Sequence, residues 1–172
     1  VWGGIASLAL RRDLCQLEDL LRGQQWHEAD RATLELMRAI GADLPQEKAD
    51  QGFIPREVAD LYPEDLHRLS CPVLEAIDRL WQTHSDGRFG FGPQAKILQE
   101  SGNQAGILDL ETYGVFRERL GWVDLQVPAE PWQAIPVGYF PFGMGQSNAT
   151  FGSSFFWQWR IYLNPRCEFS LG

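Results

Sequence analysis

Three histidines and three cysteines are the side chains best suited to ligating a metal or attacking a substrate in this chain. His27, His67 and His84 fall on three separate predicted elements, and none has a cysteine or second histidine at ligand spacing. A structural zinc site needs four such donors converging, so no protein-bound metal is expected. His84 reads as a cation favoured by a helix C-terminus or as a polar member of the helix face, and His27, beside Glu28 and Asp30, as part of a solvated face. Cys15, Cys71 and Cys167 lie far apart and are odd in number. No disulfide framework is readable from them, and a reducing compartment is the default. Cys71-Pro72 has two readings. An exposed thiolate there would suit haem iron, whereas the plainer reading is a proline opening a helix with the cysteine packed beside it. No nucleophile elbow, phosphate loop or dinucleotide fingerprint is present. Catalysis needs convergent titratable groups at an apolar cleft; here apolar material dominates, which points to binding.

The elements that must position these groups are mostly helical. Leu14, Leu17, Leu20 and Leu21 share one face of a predicted helix over 13–22, capped by Asp13 and ended by Gly23. Trp26, Ala29, Thr33, Leu36, Met37 and Ile40 form an amphipathic stripe ending at Gly41. Only Gly23-Gln24-Gln25 joins the two, which predicts an antiparallel helical hairpin. Asp43 to Gly52 reads as a loop, and Pro55 and Pro63 each suit the start of a short helix. Pro72 opens a helix in which Ile77, Leu80, Trp81 and His84 recur on one face. Ser85-Asp86-Gly87 stops it, and Pro93 suits the first residue of a helix running to Glu100. Between them, Arg88-Phe89-Gly90-Phe91-Gly92 forms a knuckle that either plugs a core or lines a pocket. Asp109 to Leu120 reads as a further helix with Tyr113, Phe116 and Leu120 inward.

From Trp122 the character changes. Residues 122–150 hold four prolines and the bulky Trp122, Trp132, Tyr139, Phe140 and Phe142 without a sustained period. A long irregular segment of this kind is often a binding loop. Residues 155–163 alternate like a strand but show no partner, so strand and terminal helix both stay open.

Composition bounds the function. The 172 residues suit one domain, 44% of them are apolar, and no run approaches the length of a membrane span. A net charge of −8 argues against nucleic acid. The chain begins at Val1 and reads as a module of a longer protein.

The string Ile77-Asp78-x-Leu80-Trp81, His84-Ser85-x-Gly87-Arg88-Phe89-Gly90-Phe91 and Gln94 resembles the core of the genomes-uncoupled-four domain family. Trp26-x-x-Ala29-Asp30-x-x-Thr33, Leu69-Ser70-Cys71-Pro72, Gly121-Trp122, Trp132 and Gly138-Tyr139-Phe140-Pro141 extend the likeness over residues 13–141. The resemblance implies an all-α, compact multi-helix bundle shaped like a cupped hand, with a long irregular aromatic loop and an aromatic C-terminal segment. It covers residues 13–141 of a chain read as an N-terminal extension (1–12), a tetrapyrrole-binding-type helical domain (13–150) and an aromatic tail packing on it (151–172). It also implies a non-enzymatic domain that holds a porphyrin (protoporphyrin IX or its magnesium form) or a linear bilin. The implied palm is Phe89, Phe91, Trp122, Trp132, Ile135 and Phe140, with Arg88 the nearest candidate for the ligand carboxylates and Met144 at a position where family members place a residue near the ligand. A magnesium chelatase subunit is the implied protein partner, and chlorophyll synthesis the setting. The location would be cyanobacterial cytoplasm or chloroplast stroma, with at most peripheral membrane association. The segment from Trp122 to Pro136 has no Lys or Arg and carries Asp124 and Glu130. That favours the alternative, a sensory or scaffold module that keeps the fold and binds a protein through the same apolar surface.

Overall fold

The computed structural model spans the 172-residue chain and describes residues 8–42, 70–103, 109–123 and 131–141, together with Cys167. The described part is built from five α-helices and one 3-10 turn: α1 (Leu8–Arg22), α2 (Trp26–Ala42), α3 (Cys71–His84), α4 (Phe91–Glu100), α5 (Leu110–Arg119) and the turn Trp132–Ala134. It is all-helical, as expected. The short helices expected after Pro55 and Pro63, the strand-or-helix segment 155–163 and Met144 lie outside the described residues.

Helix α1 begins at Leu8, one turn before the expected start at Asp13. Leu8-Ala9-Leu10-Arg11-Arg12 are good helix formers with no breaker among them. Asp13 is therefore no cap but an interior residue, its Oδ1 3.4 Å from Arg12 Nε. Leu14, Leu17 and Leu21 are fully buried on one face, and the same stripe on α2 buries Trp26, Ala29, Thr33, Leu36 and Met37. The Gly23-Gln24-Gln25 link, with Gln24 in the left-handed region at φ 55°, lets α1 and α2 pack as the expected hairpin.

Helix α3 is the centre of the molecule. Seven of its residues are buried (Val73, Leu74, Ala76, Ile77, Asp78, Leu80 and Trp81), more than one face can hold, which is the pattern of a helix enclosed on several sides. Its Trp81 Nε1 donates to Thr33 Oγ1 at 3.0 Å, and Thr33 Oγ1 donates back to Ala29 O at 2.8 Å, so α2 is tied to α3 through one hydroxyl. His84 Nε2 stands 4.0 Å from Glu18 Oε1 on α1. Helix α4 starts two residues earlier than Pro93 suggested, with Gly90 as its cap; Pro93 still falls in the first turn, where no N–H partner is needed. Asp109 Oδ1 caps α5 by accepting from Glu111 N at 2.8 Å.

The cysteine reading needs correction. Cys71, at the start of α3, is disulfide-bonded to Cys167, with 5.2 Å between their Cα atoms, and Cys15 is free. The pairing spans 96 residues, a separation that leaves no spacing motif to read.

Candidate functional site

The turn after α3 is closed by its own polar side chains. Ser85 Oγ donates to Trp81 O at 2.7 Å and accepts from Phe89 N at 2.9 Å. Asp86 and Gly87 are both left-handed, at φ 54° and 73°, and Gly87 N reaches back to Gln82 O at 2.8 Å, which completes a left-handed helix stop. One turn earlier on α3, Asp78 is 3% exposed. Its Oδ1 accepts from Gly92 N at 2.9 Å and its Oδ2 from Gln82 Nε2 at 2.8 Å. Burial pushes its carboxyl above the ordinary 3.8, with the hydrogen bonds from Gly92, Gln82 and Phe91 opposing that rise. Gly90 has to be glycine at this close approach. It sits at φ 132°, and a Cβ there would lie 2.5 Å from Asp78 Oδ1.

This knuckle holds the 131–141 segment in place. Gly90 N donates to Phe140 O at 3.0 Å, and Gly138 N donates to Arg88 O at 2.7 Å. Buried Gln94 uses one amide nitrogen on two carbonyls, Gly138 O at 2.8 Å and Pro141 O at 3.0 Å. Trp122 Nε1 donates to Tyr139 O at 3.0 Å. Arg88 Nη2 donates to Gln133 O at 2.9 Å and Ile135 O at 2.6 Å, while its Nε is buried with no partner among the described residues.

The residues expected to form the palm are brought together, chiefly inside the core. Phe89, Phe91, Trp122, Ile135 and Phe140 are each under 5% exposed. Phe89 packs edge-on against Phe140 at 5.4 Å, and Trp81 stacks on Phe140 at 5.8 Å. Trp132 is part-exposed and lies at 5.3 Å from Trp26 and 6.2 Å from Phe89. It is the member of the group that still meets solvent. His27, on the exposed side of α2, presents its ring to the edge of Phe140 at 5.3 Å.

Beside this cluster lies a cleft of about 410 Å³. Gly87, Gly92, Pro93, Ile97 and Val137 give it an apolar wall; Lys96, Glu100 and Arg119 supply its charge, and Gln82 completes the lining. Sequence reasoning missed these polar residues. A weak signal existed, since Gly92, Lys96 and Glu100 fall at i, i+4 and i+8 on α4, but without its neighbours that stripe reads only as a solvated face. Among the described residues no group of His, Cys, Asp and Glu side chains is gathered that could hold a metal ion. No described helix is long and apolar enough to cross a membrane.

A family model described as GUN4-like matches residues 9–142. The chain is 38% identical over 81 residues to a protein of Arabidopsis thaliana named "Tetrapyrrole-binding protein, chloroplastic", a match covering 47% of this chain and 27% of that protein. It is 32% identical over 68 residues to "Uncharacterized protein ycf53" of Pyropia yezoensis, covering 40% of this chain and 25% of the relative. The matched stretch is thus about a quarter of the length of these curated relatives. Among solved structures, the ligand-free structure of Arabidopsis thaliana GUN4 superposes with a TM-score of 0.57 at 26% identity, covering 83% of this chain and 90% of that one. With the family model spanning well over half of its residues and a solved member sharing its helical fold, this chain belongs to the GUN4-like family.

Proposed function

We propose that this domain binds a tetrapyrrole in the cleft beside α4, α5 and Val137. The observation that carries the reading is the position of that cleft. Its wall takes Gly87, Gly92 and Pro93 from the knuckle and Val137 from the segment pinned to it, next to Arg88-Phe89-Gly90-Phe91 and Gly138-Tyr139-Phe140-Pro141, two of the stretches that carry the family resemblance. The relative named as tetrapyrrole-binding supports the ligand class. A volume of about 410 Å³ falls within the range of small-molecule sites, and an apolar wall with a few charged groups is their usual composition. Burying a few hundred Å² of a flat macrocycle contributes roughly 8–10 kcal/mol gross at ~25 cal/mol/Å². Immobilisation removes part of that, which leaves affinities on the order of micromolar.

Within this proposal the buried Phe89, Phe91, Trp122, Ile135 and Phe140 stand behind the cleft and stiffen its wall, while part-exposed Trp132 packs on Trp26 and Phe89. Arg88 acts by fixing the carbonyls of the 132–135 turn. The ligand would be protoporphyrin IX, its magnesium form or a linear bilin, held without bond chemistry. The domain would serve as an accessory that delivers it to a magnesium chelatase, in chloroplast stroma or cyanobacterial cytoplasm. A titration of the purified domain with each of the three pigments, read by the shift of the pigment band, tests the ligand class. Saturation with a red-shifted band at micromolar concentration is expected. A flat response from folded protein for all three pigments contradicts it.

A further inference from the structure

The charged side of the cleft contains an internal competition. Lys96 and Glu100 stand one turn apart on α4, and Arg119 closes the last turn of α5 opposite them. Arg119 Nη2 donates to Glu100 Oε2 at 2.6 Å, and the two side chains are 41% and 46% exposed. Lys96 is exposed and forms no ion pair among the described residues. An exposed pair of this kind holds with only about 0–1 kcal/mol, so a ligand anion of good geometry can displace Glu100 from Arg119. Gln82, the remaining polar side chain of the lining, already donates to Asp78. The other lining residues carry no charge.

We propose that Lys96 and Arg119 are the carboxylate-binding residues of the cleft and that Glu100 is their built-in competitor. The cleft then selects tetrapyrroles that carry two carboxylates, because one carboxylate meets the Lys96 ammonium and the second takes the place of Glu100 on the guanidinium. The inference rests on the tetrapyrrole reading above and adds to it the determinant of selectivity. Against a net charge of −8, such a local cation pair offsets the repulsion that an anionic ligand meets.

The test compares deuteroporphyrin IX with the same ring after both carboxylates are converted to amides. Wild type, Lys96→Ala, Arg119→Ala and Glu100→Gln are titrated, with folding checked by circular dichroism. Each cation deletion is expected to weaken the dicarboxylate by about 2–5-fold and to leave the diamide unchanged within about twofold. Glu100→Gln is expected to tighten the dicarboxylate by about 2–5-fold, a gain that misfolding cannot imitate. Wild type binding both rings alike, with no variant moving either, overturns the carboxylate assignment and leaves the tetrapyrrole reading standing. Wild type binding neither ring overturns both.

Discussion

Asp78 is the residue on which the knuckle closes. Its two oxygens take hydrogen bonds from Gly92 N and Gln82 Nε2, and it leaves no room for a side chain at Gly90. Because burial lifts its carboxyl above 3.8, the folded protein holds that proton more tightly than the unfolded chain does. Its proton-linked contribution to stability is therefore complete below pH 3.8 and is lost as pH rises through the raised folded value. Asp78→Asn removes this slope. Urea midpoints across the window should show the stability of wild type minus that of the variant falling as pH rises; a difference that grows with pH would contradict the buried-carboxyl account. The position of Asp78 on the inner side of its helix follows from its place between Ile77 and Trp81. Its partners do not. Gly92 N is fourteen residues away, and a side chain bonding to backbone at that distance leaves no periodic trace in the sequence. The same holds for Lys96 and Arg119, whose charges become a site only when α4 and α5 are brought side by side.

The unit that matters at the next scale is the 131–141 segment, which has little regular structure beyond one 3-10 turn. It is ordered from outside, by Arg88, Gly90, Gln94 and Trp122. Gln94→Leu leaves the buried carbonyls of Gly138 and Pro141 without that donor, a loss of about 1–3 kcal/mol. Amide exchange in residues 132–140 is expected to quicken, with α1 unchanged; uniform quickening across the chain would mean that Gln94 supports the core at large. The helices themselves were legible because each apolar stripe is local: α2 and α5 fall within two residues of their expected bounds. The extra turn of α1 and the early start of α4 were not, since both depend on where the chain leaves the helix, and that is set by neighbours. The aromatic group that family likeness assigned to a palm shares the core cluster, and its burial was hidden, because an aromatic beside glycine looks the same whether it faces a core or a ligand.

For the molecule as a whole, the Cys71–Cys167 bridge ties the start of the central helix to a residue 96 positions on. Disulfides typically stabilise by about 2–4 kcal/mol, and a loop of that length lies at the upper end, about 4–5 kcal/mol by chain entropy alone. Reduction, or Cys167→Ser, should lower the guanidinium midpoint accordingly, and identical midpoints with and without reductant would show that the bridge has no part in stability. The central claim concerns where a tetrapyrrole sits on this fold. The most direct measurement is hydrogen exchange of the free domain against the domain saturated with protoporphyrin IX. The account predicts added protection over residues 87–100, at the end of α5 around Arg119 and around Val137, the stretches that line the cleft, with α1 and the outer face of α2 unchanged. Protection confined to α1 and α2, or none at saturating pigment, would contradict it.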